Sequence, residues 1–298
     1  MNIRHTFYRL PAAALLLAAA ACNNDPESLA NDGPVAARFI ASIGNNVTAT
    51  PATRVNSEGT GFIDGDRIGI LVEGYFNVPY VREDGQFVPY GTTIYFTDTE
   101  TKTFNAYYPY LSYGGTVNVI TSAGFQGPGI DYLFASGATG DTHNPTVSFT
   151  GDHAFKHCMS LIRFTFQAGD GIDFSGTGPA EYTVTGLHTT GTFNTNTGEA
   201  VVTNPYQGSI TMQLDGATSS QIIILPQEVI SPFNLEVSFD GQWYNATLNL
   251  PEAPTENFYA AGHAYSYTVT LNKKDIEVSN PAITPWKTGD SDDASAIF

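Results

Sequence analysis

The chain has 298 residues, 42% hydrophobic and 14% charged, which is enough apolar material for one large or two ordinary domains. Its 29 Asp+Glu outweigh 12 Lys+Arg, for a formal net charge of −17. That balance excludes a nucleic-acid partner, because gripping phosphates takes clustered Lys and Arg, and it suits solubility at a cell surface instead.

The first stretch, MNIRHTFYRL, carries Arg4 and Arg9 and is followed by the apolar run PAAALLLAAAAC. A positive region ahead of an apolar run too short to span a bilayer is the pattern of a signal peptide, here over 1–21. Small residues directly before a cysteine are what lipoprotein signal peptidase requires. Cys22 is therefore predicted to be lipidated and to begin the mature chain; ordinary secretion, with cleavage after an alanine, is the alternative reading. Residues 22–34 form a polar tether without apolar period. Its early acids, Asp25 and Glu27, resemble the export signal of surface-exposed lipoproteins. With Cys22 acylated, Cys158 is the one cysteine left, so no intrachain disulfide can form.

From residue 35 on, no stretch sustains apolar residues at helical spacing for three turns, whereas alternation with period two recurs. RFIASI sets Phe39, Ala41 and Ile43 on one face and opens the strand series. The next segment, TATPATRVNSEGT, holds Arg54 among Thr, Ala, Pro, Asn, Ser and Gly, the composition of an exposed loop open to nicking. Asp84-Gly85 and Asp240-Gly241 each separate two strand-like runs and predict tight hairpins, because glycine supplies the positive φ of a primed turn. FNAYYPYLSY, 104–113, alternates aromatics; these either fill a sandwich core or form a platform for sugar rings together with Trp243. GATGDTHNPT marks a polar break, and a second strand series follows it. In that series IRFTFQA, NLEVSF and YSYTVTL alternate, NTNTGEA closes a third hairpin, and QIIILPQ reads as a strand buried on both faces. The fold expected is all-β, with a sandwich over 35–149 and another over 150–298.

Chemical motifs are sparse. No nucleophile elbow, phosphate-binding loop, HExxH or CxxC occurs, so neither an enzyme nor a cofactor is expected. A carboxylate pair for glycoside hydrolysis stays open, since its separation is a spatial fact. His153, His157 and Cys158 have metal-like spacing, but adjacent strand residues face opposite ways; a structural histidine and a buried thiol are the better reading, and no metal is expected. DGDR at 64–67 and GDSDD at 289–293 lack the regular spacing of a calcium loop.

Several segments in order resemble one family: the cysteine-terminated signal, TRVNSEGTGFIDGDRIGILV, FNAYYPY, FKHCMSLIRFTF, ILPQ and AGHAYSYTVTLNKKDIEVSNPAITPW. Together they resemble the fimbrillin (Mfa-like, type V pilin) lipoproteins of Bacteroidota. The resemblance implies two tandem transthyretin-like Greek-key sandwiches, surface exposure on the outer membrane, and a role as structural subunit or tip adhesin of fimbriae. It implies as partners other fimbrial subunits joined by strand exchange, the lipoprotein-processing machinery, an Arg-specific protease, and host or bacterial surface ligands. It implies that cleavage after Arg54 removes the lipidated N-terminus with the first strand; otherwise Arg54 is a solvated loop charge. The rival Arg38 lies inside that strand. Ile276, Val278, Ile283 and Trp286, on the C-terminal segment, either donate a strand to another subunit or complete the second sandwich. The competing function is a monomeric surface lipoprotein that binds glycans through an aromatic face.

Overall fold

In the computed structural model the segment Arg38–Ala41 (β1) lies between two other strands of one sheet. The structure describes residues 33–44, 61–229, 231–252, 255 and 257–286. In these, three short 3-10 turns are the only helical pieces, as the period-two alternation requires. From Pro34 on the described residues form a single compact unit.

The first sheet is built from β1, Arg67–Val72 (β2), Tyr75–Glu83 (β3), Gln86–Pro89 (β4), Lys102–Tyr108 (β5), Leu133–Gly140 (β7) and Thr146–Phe149 (β8). Between β5 and β7 in sequence, Thr116–Ile120 (β6) leaves for another sheet. The order is β8-β1-β4-β3-β2-β5-β7, extended at its far end by Lys156–His157. The β3–β4 hairpin turns through Asp84 (φ 48°) and Gly85 (φ 80°), the left-handed pair of a primed turn. One aromatic-rich core, including Phe39, Tyr80, Phe104, Phe149 and Phe155, lies under this sheet and draws only on residues 37–155.

The second half supplies Ser160–Ala168 (β9), Glu181–Leu187 (β10), Thr190–Asn194 (β11), Glu199–Val202 (β12), Gly208–Gln213 (β13), Ser219–Ile224 (β14), Asn234–Phe239 (β15), Gln242–Thr247 (β16), His263–Leu271 (β17), Ile276–Val278 (β18) and Ala282–Pro285 (β19). They form a sheet β14-β9-β17, with β18 and β19 one after the other along the free edge of β17, and a facing sheet β13-β10-β15-β16. Side chains of both inner faces make a second core: Phe164 of β9 meets Tyr182 of β10 edge-on at 5.0 Å and stacks beside Tyr267 of β17 at 5.8 Å. Burying tyrosines requires partners for their hydroxyls. Tyr259 and Tyr267 bond each other at 2.6 Å, and Tyr182 bonds Ser220 at 3.0 Å.

A third sheet, β12-β11-β6, crosses the midpoint of the sequence, because β6 comes from the first half. Its inner face carries Phe193, which stacks on Tyr132 at 4.6 Å, and its core includes Cys158, Leu161, Leu225 and Trp286.

Candidate functional site

Two features locate a site: the slot that holds β1 and the place where the C-terminal strands end. The slot follows from the alternation in AARFIASI. Ala37, Phe39 and Ile43 are buried, while Ile40 is 44% exposed. Phe39 contacts Tyr80 at 4.6 Å, Phe104 at 5.6 Å and Phe149 at 6.2 Å, ring centroid to ring centroid. Burying a side chain of this size stabilises by about 1.5–3 kcal/mol.

The backbone of the segment is tied on both sides. Ala37 N–H donates to Ile94 O at 2.9 Å and Arg38 N–H to Pro145 O at 2.8 Å. Ser42 N–H donates to Phe149 O and Phe155 N–H returns a bond to Ser42 O, both at 3.0 Å. β1 runs parallel to β8, with Phe39 opposite Val147, and meets β4 antiparallel at Phe87. In this sheet β8 has β1 as its strand neighbour. Withdrawal of β1 would bare the edge of β8, the edge of β4 and an apolar slot one aromatic ring wide.

Sequence reasoning placed a strand here and named Arg38 as protected within it. Arg38 starts β1 with an exposed side chain and a bonded backbone. Cys22 and Arg54, the expected lipidation and maturation residues, lie outside the described residues.

The four expected donor residues are all described. Val278 pairs with Val269 and Ile276 with Leu271, while Ile283 pairs with Tyr265. All three are half-buried against the second core. Trp286 follows β19, is 7% exposed, and donates its backbone N–H to Gly262 O at 2.6 Å. In this subunit the four therefore complete their own sheet along β17.

Around Trp286 the structure assembles a group that the sequence did not announce. The His157 ring lies on the indole, and His157 Nδ1 donates to the Asp131 carboxylate at 2.8 Å with both side chains almost fully buried. Cys158 sits beside them with its thiol directed to Lys156 O at 3.6 Å. Burial pushes that thiol well above its ordinary range, and the Asp131 charge adds to the effect. His157 is thus buried between the Asp131 carboxylate and the Trp286 indole. Among the described residues no three His, Cys, Asp or Glu side chains are grouped to hold a metal. Asp131 gave no signal in the sequence because its partner lies 26 positions away.

The fimbrillin-like family model matches residues 53–286. The chain belongs to the fimbrillin-like family. This family comprises structural fimbrial and adhesion proteins. A relative is the "putative fimbrium subunit Fim1C" of Bacteroides uniformis, 28% identical over 284 residues that cover 90% of this chain and 91% of the relative. Among solved structures, a "putative cell adhesion protein" of Bacteroides uniformis superposes with a TM-score of 0.69 at 26% identity, covering 86% of this chain and all of that one. A second of the same description, from Bacteroides ovatus, gives a TM-score of 0.68 at 27% identity, covering 87% and 99%. The all-β fimbrillin-like fold thus extends over the two cores and the sheet between them.

Proposed function

We propose that this fimbrillin-like chain is a structural subunit or tip adhesin of cell-surface fimbriae, anchored in the outer membrane through lipid on Cys22 and assembled by strand exchange once a protease cuts after Arg54. The observation that carries the reading is β1. It is a short strand held between β8 and β4, it plugs an aromatic slot with Phe39, and the chain then runs on through the polar segment containing Arg54.

The physics is that of strand addition. While the chain is intact, β1 is held at high effective concentration and fills its own slot. Cleavage makes the strand a separate peptide, and its departure leaves unpaired edges that a strand of another subunit satisfies. The C-terminal segment is the donor in this reading. Because β18 and β19 are seated on β17, donation requires them to peel away first, with loss of the Trp286 contacts. The division into two tandem transthyretin-like domains at about residue 150 belongs to the same proposal, supported by a core confined to 37–155 and another confined to 162–271. So do the role as a structural and not a catalytic protein, the lipoprotein-processing machinery as a partner, and the identity of the protease as Arg-specific.

The deciding experiment treats purified protein with an Arg-specific protease. The expected result is a new N-terminus at Val55 and conversion of monomer to higher oligomers. Arg54→Ala should block both and Arg38→Ala neither. An Arg54→Ala chain that still matures and polymerises would end the proposal.

A further inference from the structure

The sheet β12-β11-β6 buries one face and leaves the other outward. Strand register places the outward side chains in rows. Glu199, Asn194 and Thr116 make one row; Val201, Thr192 and Asn118 make the next. Thr190 and Ile120 continue the grid. Neither β6 nor β11 carries a charged residue, although the chain as a whole is at −17. On β6 and β11 the face is uncharged, its Thr and Asn side chains each both donor and acceptor around Ile120, while Glu199 and Val201 of β12 line one edge.

At the Thr116 end of this array stand two aromatics without cover. Phe76 is 73% exposed and Tyr113 is 79% exposed. Phe76 packs against the residue that follows Tyr113: a Cβ on Gly114 would come within 2.9 Å of the Phe76 ring. The loop that presents Tyr113 is bonded to the sheet, since Gly115 N–H donates to Thr195 Oγ1 at 2.8 Å and Thr195 N–H to Gly115 O at 2.9 Å.

A buried polar knot ties together the chain segments that carry the two rings. Asn77, next to Phe76, has φ 51°, a left-handed conformation that costs a non-glycine residue energy unless its surroundings enforce it. Its Oδ1 accepts from the Tyr107 hydroxyl at 2.6 Å, and its Nδ2 donates to Leu111 O at 2.8 Å. Leu111 N–H donates to the same hydroxyl at 3.2 Å. Gly69 makes room beneath, because a side chain there would run into the Tyr107 ring. Buried hydrogen bonds thus tie the two segments whose aromatic rings stand in water and fill no core.

We propose that Phe76, Tyr113 and the neutral face of β6 and β11 form a binding site for an uncharged oligosaccharide. A sugar ring has an apolar face that stacks on an aromatic and a rim of hydroxyls that pair with Thr and Asn. Rigid presentation lowers the ordering cost of a weak, repeated ligand. The absence of charge on β6 and β11 offers nothing to a sulfated or sialylated glycan. A protein partner is the poorer fit, because the centre of a protein interface is enriched in aromatic, Met and Arg side chains and here Thr and Asn occupy it. The site uses no residue of β1 or of the C-terminal strands β18 and β19.

The test is binding of the full chain to immobilised cello-, xylo- and manno-hexasaccharides, with sialyllactose and a heparin hexasaccharide as anionic counterparts. The expected result is retention of at least one neutral hexasaccharide, weakened tenfold or more by Tyr113→Ala and by Phe76→Ala and several-fold by Thr192→Val. Trp243→Ala, at an exposed aromatic of β16, should leave binding unchanged, as should Arg54→Ala. Phe76, Tyr113, Thr192 and Trp243 are exposed or half-exposed, and an unchanged melting temperature verifies folding of every variant. Failure to bind every neutral probe, retention of the anionic probes alone, or wild-type binding by both aromatic variants would overturn the site. So would a concentration-dependent dimer lost in Tyr113→Ala, which would assign this face to a second copy of the chain.

Discussion

The imidazole of His157 lies flat on the indole of Trp286, with 3.9 Å between ring centroids and 4° between planes. The two residues belong to opposite ends of the second half, at the strand pair that leads into it and just past its last described strand. The stack therefore clips β19 to the body of the protein, while the bond from His157 to Asp131 fixes the ring that Trp286 rests on.

Loss of the clip should be costly and local. Trp286→Ala removes a buried indole and is expected to destabilise by about 3–5 kcal/mol, the usual range for truncating a large buried aromatic. Amide exchange in Ala282–Pro285 should accelerate more than exchange in β9 or β10, because β19 is bonded along β17 only. Urea denaturation and hydrogen exchange measure the two effects. Equal acceleration throughout the chain would show that Trp286 is general core and not a clip.

The groove makes a second expectation. Phe39→Ala should destabilise the intact chain by about 3–5 kcal/mol, since its ring contacts three other aromatics. Ile40→Ala, on the outward side of the same strand and 44% exposed, should stay within about 0.5 kcal/mol. Denaturant midpoints of the two variants are the comparison. A small effect of Phe39→Ala would mean that the slot collapses readily, and a slot that collapses cannot wait open for another strand.

The parts of this fold that sequence reasoning reached are local ones. The alternation of NLEVSF became β15 with Leu235, Val237 and Phe239 buried, and QIIIL became a run with Ile222 through Leu225 buried. Asp240 and Gly241 adopt φ 49° and 72°, as a primed hairpin turn demands. In FNAYYPYLSY the core reading holds for Phe104 and Tyr107, whereas Tyr113 is exposed. What stayed hidden is non-local. That β1 lies parallel to β8, that β6 crosses to β11, and that Asp131 bonds His157 all depend on tertiary packing between distant segments, and no short-range period encodes it. The knot at Asn77 was illegible for the same reason: its partners Tyr107 and Leu111 lie 30 and 34 positions away.

Cys158 offers a third, simpler check. Ordinary thiols ionise near pH 8.5, but burial pushes this one up, with the Asp131 charge acting in the same direction. The Cys22→Ala chain should therefore fail to react with a thiol-exchange dye at pH 8 while folded and release one equivalent of colour in guanidinium. Rapid reaction of the folded protein would contradict the packing of the segment that joins the two halves.

The last expectation concerns alkaline pH. Burial raises the hydroxyls of Tyr80, Tyr107, Tyr108, Tyr132, Tyr182, Tyr259, Tyr265 and Tyr267, with Tyr107 reaching about 12. Their ordinary value is about 10. Each is neutral when protonated, so a raised value in the folded state means that the unfolded chain gives up its proton first. The stability that follows from keeping these hydroxyls protonated is complete below pH about 10 and declines as pH rises through the folded values. Absorbance at 295 nm should rise in two stages, the second a steep one, above pH about 12, that coincides with loss of β-sheet circular dichroism. The second stage must be cooperative, because Tyr259 and Tyr267 share a hydrogen bond and Tyr182 stands in the same core. A single smooth titration of all tyrosines near pH 10 would mean that this core admits water before the protein unfolds.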